Sequence, residues 1–199
     1  MFLRLTAMGR LARPGLDKAM TTYTQTRGRN QMNATSEVSR VSGLMQTVVT
    51  AGAVGAGVIG GVFFTFTAFV LPALRKLPAA QGISAMQSIN KLAVTPPLML
   101  VLFGTAILSV ITAIWAVRHW GQPVAPWLLA GGLAYLAAIV ITMVGNIPLN
   151  NSLAVLDPHA AGAPAQWASF VTRWTAWNTL RGLTAIAGTA ILIVALIRK

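Results

Sequence analysis

The chain of 199 residues has no cysteine. Disulfides, Cys-ligated zinc, iron–sulfur clusters and thiol catalysis are thereby excluded, and cysteine usage says nothing about redox compartment. Acid is almost as scarce: Asp17, Glu37 and Asp157 are the only carboxylate side chains, and His119 and His159 the only imidazoles. Proton chemistry therefore has very few carriers. Charged residues make up 9% of the sequence, against about 25% in an ordinary soluble domain, which argues against a soluble globule. The formal charge of +12 does not make a nucleic-acid binder either. Arg4, Arg10, Arg13, Lys18, Arg27, Arg29 and Arg40 precede residue 41, and the other basic residues punctuate apolar stretches.

What is present is apolar, at 55% of the residues. From Val41 to Leu74 no residue is charged, and a helix needs about 20 predominantly apolar residues to cross a bilayer. The stretch is longer than the hydrophobic region of a secretory signal and is read as a retained first span at about 45–70. A second, at about 98–117, opens after Pro96-Pro97, where a missing N–H costs nothing, and ends before Arg118. A third runs over about 127–145. A fourth, at about 180–197, is short unless it belongs to one long helix from about 165, and no proline interrupts the chain after Pro164.

These segments lack the alternation of a barrel, so the expected fold is all-α, an integral membrane four-helix bundle with short amphipathic helices in the first and third loops. The first span carries Gly57-x-x-x-Gly61 and the row Gly52, Ala56, Gly60, read as close packing within the chain before a dimer seam, with a homo-oligomer left open. Phe63, Phe64, Phe66 and Phe69 cluster at its far end, either lining an aromatic pocket or serving as core and lipid-facing bulk. Trp115, Trp120 and Trp127 mark a membrane boundary, and His119 among them is read as a solvated interfacial residue. The balance of Lys and Arg near the spans places both termini in the cytoplasm. Residues 1–40 form a basic tail, expected to be disordered or amphipathic. A transit peptide has the same composition, and so does a translated upstream region with the start at Met32 or Met45.

Three polar constellations fall near one side of these spans. Asn146 and Asn150 are four residues apart and share a helix face if the helix continues past Pro148, for capping and interhelical bonding or for ligand binding. Asn150-Asn151-Ser152 also matches the N-glycosylation pattern, but lies too close to a span to count. Trp167, Phe170, Val171, Trp174, Asn178 and Arg181 recur at three- and four-residue steps, forming an aromatic face that ends in an amide and a guanidinium. An ionisable residue at the start of a span is a functional candidate, with snorkelling to the interface as its plain alternative. Ser84 to Lys91 reads as a short amphipathic helix presenting Gln87 and Asn90, either lying on the bilayer or covering the mouth shared by the other two groups.

Met86-Gln87-x-x-Asn90, Asn146-x-Pro148-x-Asn150 and Trp174-x-x-Trp177-Asn178-x-x-Arg181, in that order in a four-span chain, resemble the anthrone oxygenase-like membrane proteins. The resemblance covers about residues 45–197 and leaves out the basic tail. Some fungal members of that family oxidise anthrones to anthraquinones with molecular oxygen. The resemblance implies a cofactor-free oxygenase acting on a planar aromatic or other small hydrophobic substrate. In it Arg181 stabilises an oxyanion, Asn146, Asn150 and Asn178 orient it, and Trp174 and Trp177 stack on the rings beside Gln87 and Asn90. Arginine stays protonated, so the base falls to Asp157, His159 or bound water, although Asp157-Pro158-His159 also reads as a turn. A non-enzymatic membrane protein that binds or passes a small amphipathic ligand, or serves as an assembly partner, is the alternative. Proton-coupled export is disfavoured because no Asp or Glu lies in a span. A haem or dinuclear metal site is disfavoured because His119 and His159 fall on opposite sides. No metal is expected; the partners are the lipid bilayer and a small hydrophobic or aromatic ligand.

Overall fold

A computed structural model describes residues 14–198. The chain divides into two compact units, Met1–Leu44 and Met45–Lys199. Of the basic tail, residues 1–13 lie outside the described residues, and from Pro14 the backbone is helical. In the first unit Thr24 and Thr26 donate their hydroxyls to the carbonyls of Met20 and Thr22, and Met20, Tyr23 and Met32 are exposed.

Among the described residues there is no strand. In order the helices are α1 (Pro14–Thr65), α2 (Leu71–Arg75), α3 (Ala79–Ala93), α4 (Pro96–Arg118), α5 (Ala125–Ile141), α6 (Ile147–Ala154) and α7 (Ala163–Ile197). Four stretches are long and apolar enough to span a bilayer: Gly43–Arg75, Pro96–Arg118, Ala125–Ala154 and Ala163–Ile197. The shortest has 23 residues, about 35 Å at 1.5 Å per residue, against a hydrocarbon core of about 30 Å. The protein is an integral membrane protein. The long helix expected after Pro164 is α7, whose 35 residues reach about 52 Å and so extend beyond the hydrocarbon at one end or both. Ser84 to Lys91 lies within α3, and the third-loop helix is α6.

Two of the spans contain a turn of π-helix, Phe66–Val70 between α1 and α2 and Thr142–Asn146 between α5 and α6. Each precedes a proline by a fixed interval. Pro72 and Pro148 lack the N–H that would reach Ala68 and Val144, and a proline ring crowds the carbonyl four residues back. The backbone widens just upstream: Leu71 donates to the Phe66 carbonyl and Ile147 to the Thr142 carbonyl, five residues back. Neither proline therefore breaks its helix; both loosen it for one turn.

Small residues set the distances between spans. Gly52 faces Leu108 and Leu192, Gly55 faces Thr105, Gly57 faces Thr189 and Gly60 faces Ile186, so α1 lies against α4 and α7. Gly131 lies beneath Leu192, and Gly188 meets the Gly131 carbonyl and the Tyr135 amide, which brings α5 and α7 together at backbone distance. The glycine row of the first span is thus used within the chain, while no described residue comes within 4 Å of a Cβ at Gly61. One cluster holds Met45, Val49, Ala116, Leu128 and Leu192 at one end, and Ala56, Ile59, Phe63, Tyr135 and Ala185 form another. The third fastens α3, α6 and the first turns of α7 around Ile83, Met86, Leu153, Trp167, Phe170 and Trp174. Trp167 lies over Gly82, so α3 is held flat against α7.

Among the described boundary residues, the Trp115 ring stacks on His119 at 4.3 Å and Arg198 lies over the Trp127 ring at 4.4 Å. His119 Nδ1 also meets the Trp115 carbonyl at 2.9 Å, an exposed helix-end contact in keeping with the interfacial reading.

The seam between α4 and α5 gives a direct test of this packing. A Cβ on Gly132 would stand 2.9 Å from the Ser109 carbonyl, a backbone atom that cannot rotate away. Gly132→Ala should therefore destabilise the protein by about 1–3 kcal/mol, seen as a lower apparent Tm in detergent at fixed scan rate, whereas Gly61→Ala should leave Tm unchanged.

Candidate functional site

The face of α7 read from three- and four-residue spacing is turned inward: Trp167, Phe170, Val171, Trp174, Asn178 and Arg181 are all buried. Arg181 is 8% exposed, so it does not snorkel. Its Nε and Nη2 donate to Asn178 Oδ1 at 3.1 and 2.9 Å, and its Nη1 lies 3.4 Å from Thr142 Oγ1 in the second π-turn. The guanidinium carbon sits 3.9 Å from the centre of the Phe63 ring and 5.3 Å from that of Trp174, an aromatic pair suited to a weakly hydrated planar cation. No hydrogen bond of Arg181 among the described residues goes to a carboxylate.

Asn178 is the hinge of this arrangement. With its Oδ1 committed to Arg181, its Nδ2 donates to the Phe63 carbonyl and to Thr67 Oγ1, both at 2.7 Å. Thr67 belongs to the first π-turn and Thr142 to the second. The amide and guanidinium on α7 are thus gripped from both sides by the loosened turns that the two prolines produce.

One turn towards the start of α7 the polar contacts continue. Trp174 donates its indole N–H to Asn150 Oδ1 at 2.7 Å, and Asn146 Nδ2 lies 3.3 Å from the Trp174 carbonyl. Asn146 is fully buried, and its Oδ1 has no hydrogen-bond partner among the described residues. The helix does continue past Pro148, with Asn146 and Asn150 both facing α7. Gln87 Nε2 donates to the carbonyls of Leu153 and Leu156 at 2.8 and 2.9 Å, which satisfies the end of α6 and ties α3 to it. Asn90 is half-buried on α3 and makes none of these bonds.

Trp177 stands apart. Its ring lies on Gly145, where a Cβ would collide with it, and it is 36% exposed on the outer side of the α5–α7 seam. The phenylalanine cluster divides: Phe63 is buried under Arg181 and Phe66 lies 5.7 Å from Trp174, while Phe64 and Phe69 are exposed towards the bilayer. Asp157 Oδ1 accepts the backbone N–H of His159 at 2.9 Å in an exposed turn. Thr67 and Thr142 were not singled out from the sequence; their only signal is a threonine five or six residues before a proline in an apolar run.

Residues 97–191 match the family model described as anthrone oxygenase. The matched stretch takes in α4 to most of α7, and so Asn146, Asn150, Trp174, Trp177, Asn178 and Arg181, while Gln87, Asn90 and the first span lie before it. The resemblance carried by those motifs is therefore borne out over that stretch. No curated protein and no solved structure gives a match to the chain.

If Asn178 is what makes burial of the guanidinium tolerable, Asn178→Leu removes two hydrogen bonds to a charged group. The loss should be about 3 kcal/mol, read as a marked fall in apparent Tm in detergent, and Arg181→Leu in the same chain should recover part of it.

Proposed function

We propose that the chain is a membrane oxygenase that needs no bound cofactor and oxidises a planar, anthrone-like aromatic substrate, with both termini in the cytoplasm. The observation that carries this reading is the Arg181 guanidinium, buried between aromatic rings and bonded to a neutral amide instead of a carboxylate. A guanidinium has five N–H donors. Three are engaged by Asn178 and Thr142, so two remain without a protein partner among the described residues. In a low-dielectric setting such a group favours negative charge on a neighbouring oxygen.

An anthrone has a carbonyl opposite a methylene flanked by two aryl rings. Loss of a methylene proton places charge on the carbonyl oxygen, and this enolate is the state that Arg181 stabilises. The proton passes to water, since arginine stays protonated and Asp157 is occupied in its turn. The carbanion itself supplies the electrons: carbon bonds to dioxygen, a hydroperoxide forms on protonation, and loss of water leaves the second carbonyl. One dioxygen is consumed and one water released. Trp174 and Phe63 flank the guanidinium and give the site its aromatic walls. Asn178 holds Arg181, Asn150 holds the Trp174 indole, and Gln87 holds α3 over α6, so these three act as positioning residues. Asn146 Oδ1, buried without a partner among the described residues, is an unused acceptor beside Trp174.

Oxygen uptake by the detergent-purified protein with an anthrone tests the reading against the protein-free autoxidation rate. Protein-dependent uptake should fall roughly 100-fold or more in Arg181→Gln, an effect of the size seen when one oxyanion donor is removed. Uptake equal to the blank, or an Arg181→Gln variant as active as the parent, would refute the assignment.

A further inference from the structure

We infer that the substrate reaches Arg181 sideways from the bilayer, through the seam between α5 and α7, and that Trp177 is the residue that closes this route. The inference rests on the reading of Arg181 as the oxyanion site.

The approaches from the loops, along the α1–α7 seam and lower on the α5–α7 seam are filled. Towards the loops, α3 lies over the end of the bundle with Ile83 and Met86 fully buried, Trp167 is seated on Gly82, and Gln87 fastens α3 to α6. Along the α1–α7 seam a Cβ on Gly182 would lie 3.3 Å from Phe63, and one on Gly60 would lie 3.3 Å from the Ile186 amide, so the two backbones close that side. Farther down the α5–α7 seam, Gly188 meets the Gly131 carbonyl in the same way.

At the second π-turn the closure changes character. Gly145 has no side chain to fill the seam, and what covers it is the Trp177 ring. Trp177 and Arg181 are four residues apart on α7, and Thr142 and Gly145 three apart on the opposing turn, so Trp177 on Gly145 and Arg181 on Thr142 are successive contacts of one groove. Trp177, itself 36% exposed, thus stands at the outer contact of this groove, one step from the half-buried Thr142 that meets the guanidinium. An indole can swing about two side-chain torsions, whereas the glycine-lined backbone contacts elsewhere cannot open without moving a helix. A planar aromatic substrate partitions into the bilayer, so a route that opens there meets it where it is concentrated.

The absence of cysteine makes the test direct. Thr142→Cys gives the protein one thiol, at the inner end of the groove. In reconstituted vesicles it should react slowly with an uncharged, bilayer-soluble maleimide while Trp177 is present, and roughly tenfold faster when Trp177→Ala is added. Trp177→Phe, which keeps a ring over Gly145, should restore the slow rate, and a sulfonated, membrane-impermeant maleimide should show no such acceleration. Equal rates with and without Trp177 would overturn the inference, and so would acceleration by the charged reagent, which would place the opening on the aqueous side. The labelling needs no substrate turnover. Acceleration without anthrone-dependent oxygen uptake would leave the route standing and remove the oxygenase reading, and uptake without acceleration would do the reverse.

Discussion

A buried guanidinium that, among the described residues, no carboxylate answers is the constraint on which this site depends. Burying an isolated charge costs several kcal/mol even after relaxation, and the bilayer around these spans offers no water to relieve it. The chain meets the cost with an amide oxygen that takes two of the donors, a hydroxyl for a third, and the faces of Phe63 and Trp174. Each partner then needs its own support. Asn178 Oδ1 can accept from Arg181 only because its Nδ2 is anchored to the Phe63 carbonyl and Thr67, and the Trp174 ring is fixed through its indole N–H by Asn150. Interactions that begin at one cation therefore extend through α1, α5, α6 and α7.

The prolines explain how straight spans can supply such partners. A regular α-helix presents each side chain about 100° from the last, and a hydroxyl of an ideal α1 or α5 would be aimed by that repeat alone. The extra residue of a π-turn shifts the repeat locally, so Thr67 and Thr142 are presented to α7 from segments that otherwise carry apolar bulk. Pro72 and Pro148 lie at corresponding places in the first and third spans, the two that flank α7 at this level. Loosening both is what opens room for a polar pair between them, and the glycine contacts lower down hold the spans together in compensation.

Much of this was legible in the residues. The spans follow from long uncharged stretches, α7 as one helix follows from the lack of proline after Pro164, and its buried face was given by the spacing from Trp167 to Arg181, each member of which is buried. Trp177 also fits that spacing, three residues from Trp174 and four from Arg181, yet it is 36% exposed with its ring over Gly145, a difference that periodicity does not show. The partners of the polar residues were not legible. Gln87 ends on the carbonyls of Leu153 and Leu156 and Asn150 on an indole, contacts made between elements far apart in sequence, and helical periodicity carries no information about them. Thr67 and Thr142 were hidden for a further reason: threonine in a span ordinarily bonds the carbonyl four residues back, as Thr142 itself does to Ala138, and spacing does not show that its hydroxyl oxygen also meets Arg181 or that Thr67 Oγ1 accepts from Asn178.

The choice of an amide as the main partner of Arg181 bears on what the site can do. An aspartate at 178 would bind the guanidinium more strongly and cancel its charge, giving a buried ion pair of structural use and little attraction for an incoming anion. Asparagine has nearly the same shape and offers the same two-donor contact through Oδ1, but brings no charge. The positive potential survives at the aromatic faces, held in place yet unneutralised. A site that must stabilise negative charge as it develops on a substrate, and release a neutral product afterwards, needs that combination of a fixed cation and a neutral clamp. On the proposed reading, the scarcity of acid, first met as a feature of composition, leaves the guanidinium free to act on a ligand.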